Sequence, residues 1–220
     1  MNERRPRLEG KVAIVTGAGS RSEGIGNGKA TSLLFAREGA KVLLVDATLE
    51  RAEETQRMIQ EEGGEASVFE ADMTNRDDCQ AMADAAVERY GRLDILDNNV
   101  GMSMRGTVVD VSEDDWDRII AVNVKSMIFV SGCAISYMIK SGGGSIINIS
   151  SIGGLRAHSQ TPYTTTKTAV IGLTFSMASD HDTDSIRVNY IAPGLLHKPM
   201  TAPRMNDEQR EQRKSAAPLG

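Results

Sequence analysis

A tyrosine and a lysine four positions apart, Tyr163 and Lys167, could together move a proton. In a helix this spacing places both side chains on one face. A free phenol loses its proton at about pH 10, so it is a poor acid or base at neutral pH unless a nearby cation stabilises the phenolate. Two serines, Ser150 and Ser151, follow a short apolar run not far upstream. A serine hydroxyl could hold a carbonyl or alcohol oxygen beside the phenol while the proton moves.

The spacing of this pair does not by itself show that it does chemistry. Tyr163 and Lys167 could equally be two exposed residues on the surface of a helix. A catalytic interpretation therefore depends on which elements the rest of the chain places around them.

Composition sets the broad class of the protein. The 220 residues are 40% hydrophobic and 25% charged, which predicts one domain over residues 1–220. The net charge of -5 leaves no basic surface for nucleic acid. We find neither an apolar stretch approaching membrane-spanning length nor a secretion signal at the start, so we predict a cytoplasmic protein without a membrane partner. Cys79, Cys133 and the three histidines are scattered, which predicts no disulfide framework and no metal site.

A glycine-rich loop follows the first predicted strand, residues 11–16, and precedes a helical pattern over residues 27–38. Glycines at such a junction let the backbone turn tightly and approach a pyrophosphate, whose charge is favoured by the helix N-terminus. The glycines and the residue between them are Gly17, Gly24, Ile25 and Gly26. Because glycine-rich loops are common, a plain strand-to-helix turn is the alternative.

An acidic residue, Asp46, ends the second predicted strand, residues 41–45, and lies 20 positions after Gly26. An acid at this distance can accept a hydrogen bond from a ribose 2′-hydroxyl and repel a 2′-phosphate. Glu23 adds negative charge to the loop, and Arg21 partly offsets it. We therefore predict NAD rather than NADP as the cofactor. Asp46 could also act as a helix N-terminal acid, and the two roles are compatible.

Strands and helices alternate through the rest of the chain. Further strands are predicted at residues 66–70, 93–96, 145–149 and 186–191, and further helices at residues 48–62, 75–90, 112–140 and 161–178. This alternation predicts an α/β fold, a doubly wound parallel sheet covered by helices on both faces in a three-layer α/β/α arrangement. Ligands of such sheets bind beyond the carboxyl ends of the strands. The residues expected to gather at that edge are Gly17, Asp46, Asp72, Asn99, Ser151 and Pro193.

Taken together, these motifs resemble those of the short-chain dehydrogenase/reductase family over residues 8–200. They are Thr16-Gly17, Gly24-Ile25-Gly26, Asp46, Asp72, Asn98-Asn99-Val100-Gly101, Asn123, Ser151, Tyr163 with Lys167, and Pro193-Gly194. The resemblance implies a Rossmann-type sheet, a nicotinamide cofactor, and hydride transfer to or from an alcohol or carbonyl carbon. It also implies a homo-oligomer, a dimer or tetramer, formed through the long helix and the Tyr163 helix.

The resemblance assigns roles to four catalytic residues. Tyr163 is the proton donor or acceptor, and Lys167 lowers the pKa of that phenol and binds the nicotinamide ribose. Ser151 holds the substrate oxygen, although Ser150 competes for this role. Asn123 supports a water that links Lys167 to solvent. The residues assigned to cofactor binding are Gly17, Gly24, Ile25, Gly26, Asp46, Asp72, Met73, Asn99, Gly101, Tyr163, Lys167, Pro193, Gly194 and Leu196.

The chain also departs from the family pattern. Arg21-Ser22-Glu23 lengthens the glycine loop, and Asp97 stands where the family has an apolar strand residue. Val100 replaces an alanine, and Lys198 replaces a threonine that meets the cofactor. The family normally continues through another helix and strand, so we expect a chain truncated at the C-terminus, with residues 186–191 at an exposed sheet edge.

The function predicted from these residues is an NAD-dependent oxidoreductase acting on a small-molecule secondary alcohol or ketone. Two alternatives keep the fold: a non-catalytic nucleotide-binding or regulatory protein, and an epimerase or dehydratase. Residues 156–162 and about 195–215 are expected to border the substrate, the latter as a lid. His158 and His197 could touch substrate or simply be solvated.

Overall fold

The computed structural model describes residues 6–21, 23–156, 160–194 and 196. Six parallel strands form one sheet in the order β3-β2-β1-β4-β5-β6. The strands are β1 (Val12–Thr16), β2 (Lys41–Asp46), β3 (Ala66–Glu70), β4 (Ile95–Asn98), β5 (Gly144–Ile149) and β6 (Ile186–Ile191). Because all six run in the same direction, their carboxyl ends lie at one edge of the sheet, and β6 lies at one side of the described sheet.

Helices cross between successive strands. They are α1 (Asn27–Arg37), α2 (Leu49–Glu61), α3 (Arg76–Tyr90), α4 (Glu113–Ile120), α5 (Ser126–Lys140) and α6 (Thr161–Asp180). Local sequence fixes several of their ends. The Asn75 side chain accepts a hydrogen bond from the Asp77 amide at the start of α3, and Ser112 does the same for Asp115 at the start of α4. Gly91 ends α3 in a left-handed conformation.

Two apolar clusters, one on each face of the sheet, hold the layers together. On one face, β-strand residues such as Leu96 and Ile146 pack with Met82 of α3 and Met138 of α5. The other face carries a cluster of buried residues from β1, β2, α1 and α2, among them Val15, Leu44, Leu33 and Ile59. The doubly wound α/β sheet predicted from the alternation is therefore confirmed.

One helix combines three segments and corrects a prediction from composition. A π-helical stretch, Ala121–Lys125, joins α4 to α5, so that residues Glu113–Lys140 form a continuous helix. This helix is long and apolar enough to cross a membrane by length and composition alone. The expectation that no stretch approaches this length was wrong. The apolar character reflects its place in the core, where Met127, Val130 and Ala134 are buried.

The fourth strand, β4, is shifted by two residues from the predicted range of 93–96. The prediction ended the strand before two polar residues that belong to it. Leu93 is buried outside the strand, whereas Asp97 and Asn98 pair with residues of β5. Asn98 is satisfied inside the core, since its Nδ2 donates to Ser131 Oγ at 3.0 Å and to Asn148 Oδ1 at 2.8 Å. A hydrophobic pattern does not reveal a strand whose polar residues have buried partners.

Asp97, in contrast, is buried without such compensation. Its side chain is 1% exposed, and within the described residues neither carboxylate oxygen has a hydrogen bond of normal geometry. Burial raises the pKa of Asp97 from its ordinary 3.8 to about 7, an effect that the Thr31 hydroxyl only reduces. The carboxyl group is therefore protonated in the folded protein at pH values where the unfolded chain would ionise it.

We predict that the contribution of Asp97 to the stability of this protein falls as the pH rises from about 4 to about 7 and then levels off, because only the unfolded state gains the Asp97 charge over that range. Asp97→Asn and Asp97→Val should remove this dependence and stabilise the protein at pH 8 by up to about 4 kcal/mol. This limit follows because each pH unit between the folded and unfolded pKa values corresponds to roughly 1.4 kcal/mol. Denaturant unfolding at several pH values measures the effect.

Glu88→Gln, which removes an exposed carboxylate, is the matched control and should leave the pH dependence unchanged. Parallel pH curves for the wild type and Asp97→Asn would show that the carboxylate is compensated in the folded state.

Candidate active site

Tyr163 and Lys167 lie in the first half of α6, at the carboxyl edge of the sheet. Lys167 is only 4% exposed, and its Nζ donates a hydrogen bond to the Ile149 carbonyl at 2.8 Å. The same Nζ lies 6.0 Å from the centroid of the partly exposed Tyr163 ring. A buried ammonium group is costly unless it is paired or hydrogen-bonded, so its position is specified by its neighbours. The pair is thus not two exposed residues on a helix surface.

The two serines at the end of β5 face different surroundings. Ser150 is 3% exposed, and its Oγ donates to the Lys167 carbonyl at 2.7 Å. Ser151 is partly exposed and caps a short 3-10 turn, Ile152–Gly154, by accepting a hydrogen bond from the Gly153 amide at 3.1 Å. This difference favours Ser151 as the hydroxyl that could reach a substrate.

Gly153 lies between Ser151 and the Tyr163 ring. A Cβ atom at this glycine would lie 3.2 Å from Cε1 of Tyr163 and 3.5 Å from Ser151 Oγ. The absence of a side chain here lets the serine turn pack closely against the phenol ring. The structure therefore brings the hydroxyl and the phenol to one side of the sheet edge, where an oxygen atom could meet both.

Asn123 occupies the π-helical segment and is completely buried. Its Oδ1 accepts from the Met102 amide at 2.8 Å, and its Nδ2 donates to the Met102 carbonyl at 3.0 Å and to Thr166 Oγ1 at 3.0 Å. The side chain therefore ties the loop after β4 to α6. π-Helical turns recur at functional sites. Support by Asn123 of a water beside Lys167 stays a prediction.

Gly101, in the loop after β4, lies close to Lys167 and Asn123. A Cβ atom there would lie 3.2 Å from Lys167 Nζ and 3.4 Å from Asn123 Oδ1. A side chain would press on the ammonium group and the amide together. The glycine thus keeps the backbone of the loop close to both groups, as a cofactor site at this edge would require.

The glycine loop after β1 has the geometry of a backbone cradle. Gly17 has a φ of 64°, in the left-handed region, and Asn99 Nδ2 donates to its carbonyl at 3.1 Å. Gly28 permits the close approach of α1, since a Cβ atom there would overlap the Gly17 carbonyl oxygen. Gly24 and Ile25 are exposed just before Gly26, which begins α1 as its N-cap residue. These features fit a pyrophosphate at the helix N-terminus.

Asp46 is fixed beside this loop. Its Oδ2 accepts from the Gly19 amide at 3.1 Å, and its Oδ1 accepts from the Thr48 amide at 3.1 Å. The first bond joins the end of β2 to the glycine loop, and the second acts at the start of α2, so both predicted roles are compatible with the geometry. Arg21 and Glu23 of the longer loop are exposed.

The remaining predicted cofactor residues differ in how they could take part. Asp72 is exposed and accepts from the Thr74 amide at 2.9 Å, whereas the Met73 side chain is buried in the core beneath α3. Only the backbone of Met73 could face a ligand, because an apolar side chain after β3 is drawn into the core. Gly194 and Leu196 are exposed after β6.

Pro193 joins the segment after β6 to the serine turn. The Pro193 carbonyl accepts a hydrogen bond from the Ile152 amide at 3.0 Å. His158, His197, Lys198 and most of the predicted lid lie outside the described residues.

Two residues that organise the site were not singled out from the sequence. Thr166 Oγ1 accepts from Asn123 Nδ2 at 3.0 Å, and Ser20 Oγ accepts from the Gly26 amide at 2.9 Å. Thr16, which the sequence motif includes without a role, accepts from the Asn99 amide through its Oγ1 at 3.1 Å. A run of three threonines in a helix, residues 164–166, was the available signal, because β-branched hydroxyl residues are not favoured there without a specific partner.

Cysteine and metal chemistry find little support in the described part of the chain. Burial raises the pKa of the Cys79 thiol to about 12, which keeps it protonated, and Cys133 is also buried. Within residues 6–21, 23–156, 160–194 and 196, no group of three or more His, Cys, Asp or Glu side chains could hold a metal ion.

Comparisons with known proteins agree with this architecture. The sequence profile of the short chain dehydrogenase family matches residues 11–209. A 3-oxoacyl-(acyl-carrier-protein) reductase from Thermotoga maritima is 39% identical over 215 residues, which cover 97% of this chain and 85% of the relative. A 2-dehydro-3-deoxy-D-gluconate 5-dehydrogenase from Escherichia coli is 38% identical over 208 residues, covering 92% of this chain and 78% of the relative.

A solved structure extends the similarity to the fold. A 7α-hydroxysteroid dehydrogenase, complexed with NADH and 7-oxo glycochenodeoxycholic acid, matches with a TM-score of 0.88 and 33% identity. The match covers 96% of this chain and 81% of the other. The chain belongs to the short-chain dehydrogenase/reductase family of oxidoreductases.

Proposed function

We propose that this protein is an NAD(H)-dependent oxidoreductase that interconverts a secondary alcohol and a ketone, with Tyr163 as general acid and base. One observation carries the proposal: a buried ammonium group, Lys167, is fixed 6.0 Å from the ring of a partly exposed phenol. An ammonium in this place stabilises a phenolate, and a phenol that can ionise reversibly can exchange a proton with substrate. An exposed surface lysine would be solvated and would have little such effect.

In the direction of reduction, the Tyr163 hydroxyl gives its proton to the substrate oxygen and is left as a phenolate, which Lys167 stabilises. In the direction of oxidation, the phenolate takes the proton from the substrate hydroxyl. Ser151 donates a hydrogen bond to the same oxygen and orients the carbon beneath it. A bound nicotinamide cofactor supplies or accepts the hydride.

The residues that would hold the cofactor follow the carboxyl ends of the strands. The backbone of the loop that contains Gly17, Gly24, Ile25 and Gly26 would contact the pyrophosphate, and Asp46 the adenosine ribose. Asp72 and the Met73 backbone, with Asn99 and Gly101, would border the adenine and the ribose units. Pro193, Gly194 and Leu196 would border the nicotinamide, opposite Tyr163 and Lys167.

The preference for NAD over NADP rests on the charge and position of Asp46. Its carboxylate is held at the glycine loop by the Gly19 amide, so it cannot swing away without losing that hydrogen bond. A carboxylate there can accept a hydrogen bond from a ribose hydroxyl but repels a phosphate. The related 7α-hydroxysteroid dehydrogenase was solved with NADH, which supports the same choice.

The names of the relatives support a broad substrate class, and exposed apolar side chains support an oligomeric assembly. The relatives are named for a 3-oxoacyl-(acyl-carrier-protein), a 2-dehydro-3-deoxy-D-gluconate and a hydroxysteroid, which share an alcohol or ketone group, and the substrate class proposed here is a small-molecule alcohol or ketone. The outer faces of α5 and α6 carry Ile128, Ile139 and Phe175, which are 48%, 45% and 63% exposed. These side chains would be covered in a dimer or tetramer built on the two helices. A cytoplasmic location stays a prediction.

Tyr163→Phe should lower kcat by about 10²- to 10⁴-fold, the contribution expected of a general acid or base, because it removes the transferable proton and keeps the ring. Affinity for NADH, measured by fluorescence titration, should remain within about twofold. Turnover is measured by NADH absorbance with a panel of alcohols and ketones.

Tyr137→Phe is the matched control, since it removes a partly exposed phenol from α5. Retained turnover in Tyr163→Phe would remove this residue from its role. A wild-type protein that binds NADH but converts no substrate would favour a nucleotide-binding protein without chemistry.

Asp46→Ala should weaken binding of NADH and strengthen binding of NADPH, so that the ratio of the two dissociation constants changes by about tenfold or more. The variant loses a ribose acceptor and a charge that repels the 2′-phosphate. Equilibrium titration with both cofactors measures the ratio.

Glu70→Gln is the control, because Glu70 pairs with Asp46 across β2 and β3 and is exposed. An equal change in both variants would indicate a general charge effect, and a wild-type preference for NADPH would contradict the proposal.

A further inference from the structure

We infer that Ser150 is a positioning residue that holds Lys167 beside Tyr163. The inference rests on the proposed function, because it concerns how the proton-transfer pair keeps its geometry. It assigns separate tasks to two adjacent serines, with Ser151 facing substrate and Ser150 acting only through the helix behind it.

The first observation is where the Ser150 hydroxyl points. It is buried, and its Oγ donates to the backbone carbonyl of Lys167 at 2.7 Å. In an α-helix that carbonyl already has a helical partner four residues on, so the bond from Ser150 is an additional one made across elements. It joins the end of β5 to the one peptide of α6 that carries the buried ammonium.

The second observation is that the contact is reciprocal. Lys167 Nζ donates back to the carbonyl of Ile149, the residue before Ser150, at 2.8 Å. Two consecutive residues of β5 and its end thus bond the side chain and the main chain of one residue in α6. The bond from Ser150 holds the backbone of α6 against the end of the strand, and the bond to Ile149 holds the ammonium group at the same place.

The turn after Ser151 is built around the same peptide. A Cβ atom at Gly154 would lie 2.7 Å from the Lys167 carbonyl oxygen, so the turn packs directly against it. The Thr168 hydroxyl donates to the Gly154 carbonyl at 2.9 Å. The Lys167 carbonyl therefore lies between Ser150 and Gly154, where it accepts the hydrogen bond from the serine hydroxyl.

A second anchor between β5 and α6 lies too far along the helix to replace this one. Asn148 Nδ2 donates to Thr174 Oγ1 at 3.0 Å. Thr174 is seven residues beyond Lys167, about 10 Å along the axis at 1.5 Å per residue. Asn148 and Ser150 project from the same face of the strand, so they pin two successive parts of α6. Without Ser150, the backbone of α6 at Lys167 would lose its hydrogen bond from the end of β5, while the bonds of Thr166 to Asn123 and of Thr168 to Gly154 would remain.

The electrostatic surroundings make the position of Lys167 matter. The 3-10 turn against Tyr163 carries no charged side chain. Arg105 and Arg156, on neighbouring loops, are exposed, as are the charged residues of α4, which packs against α6. The exposed residues of α4 are Glu113, Asp114, Asp115, Asp117 and Arg118. Exposed charges are screened by water, so the field at the phenol depends mainly on the buried ammonium group and its distance.

The test is Ser150→Ala in the full chain. We expect kcat to fall by about tenfold and the midpoint of the pH profile of kcat/KM to move upward by about half a pH unit or more, because a displaced ammonium stabilises the phenolate less. Affinity for NADH should stay within about twofold. A merely structural serine would lower stability and activity without moving the midpoint.

Ser32→Ala is the matched control. Ser32 is equally buried, and its Oγ donates to a backbone carbonyl, Gly28, at 2.8 Å, on a helix that does not carry Lys167. The two variants should lose similar melting temperature, and only Ser150→Ala should shift the pH profile. An unshifted profile in Ser150→Ala, or an equal shift in Ser32→Ala, would overturn the inference.

A measurement without substrate separates this inference from the proposed function. The tyrosinate absorbance change that Tyr163→Phe removes is followed against pH in the wild type and in Ser150→Ala. A higher midpoint in Ser150→Ala supports the inference even if no alcohol or ketone is converted, in which case the proposed function alone fails. Coincident midpoints in this titration contradict the positioning role.

Discussion

The burial of one ammonium group is the constraint on which the site depends. Lys167 lies inside the protein, where a strand ends beside it with a carbonyl oxygen that accepts a hydrogen bond from its Nζ and so offsets part of the cost of burial. That carbonyl belongs to Ile149, the last residue of β5. The proposed site thus uses an acceptor that a parallel sheet leaves at its carboxyl end.

Hydrogen bonds join α6 to the loops and strand ends around it. The loop after β4 reaches α6 through Asn123, and the end of β5 reaches it through Ser150. The segment after β6 is tied to the serine turn through Pro193. Hydrophobic packing alone tolerates small sliding movements of a helix over a sheet, whereas directional hydrogen bonds do not.

The sequence predicted the fold because its signals were local. Runs of β-branched residues marked most strands, and the spacing of Tyr163 and Lys167 marked one helix face. The parts that escaped prediction depend on contacts between distant residues. Asn98 could not be assigned to β4 without knowing that Asn148 would meet it across the sheet, and Met73 could not be assigned to the core without the position of α3. Ser150 and Ser151 are chemically identical in the sequence and differ only in what surrounds them.

Asn123 has a consequence for the chemical lifetime of the site. Its amide meets both the N–H and the C=O of Met102, and so it acts as a peptide group would in a pair of strands. Only a side chain that donates and accepts at this length can do so. Hydrolysis of that amide to a carboxylate would set an acceptor against the Met102 carbonyl and release the loop from α6. Loss of this one amide nitrogen would therefore disrupt the candidate site, while the sheet and its two apolar clusters stay folded.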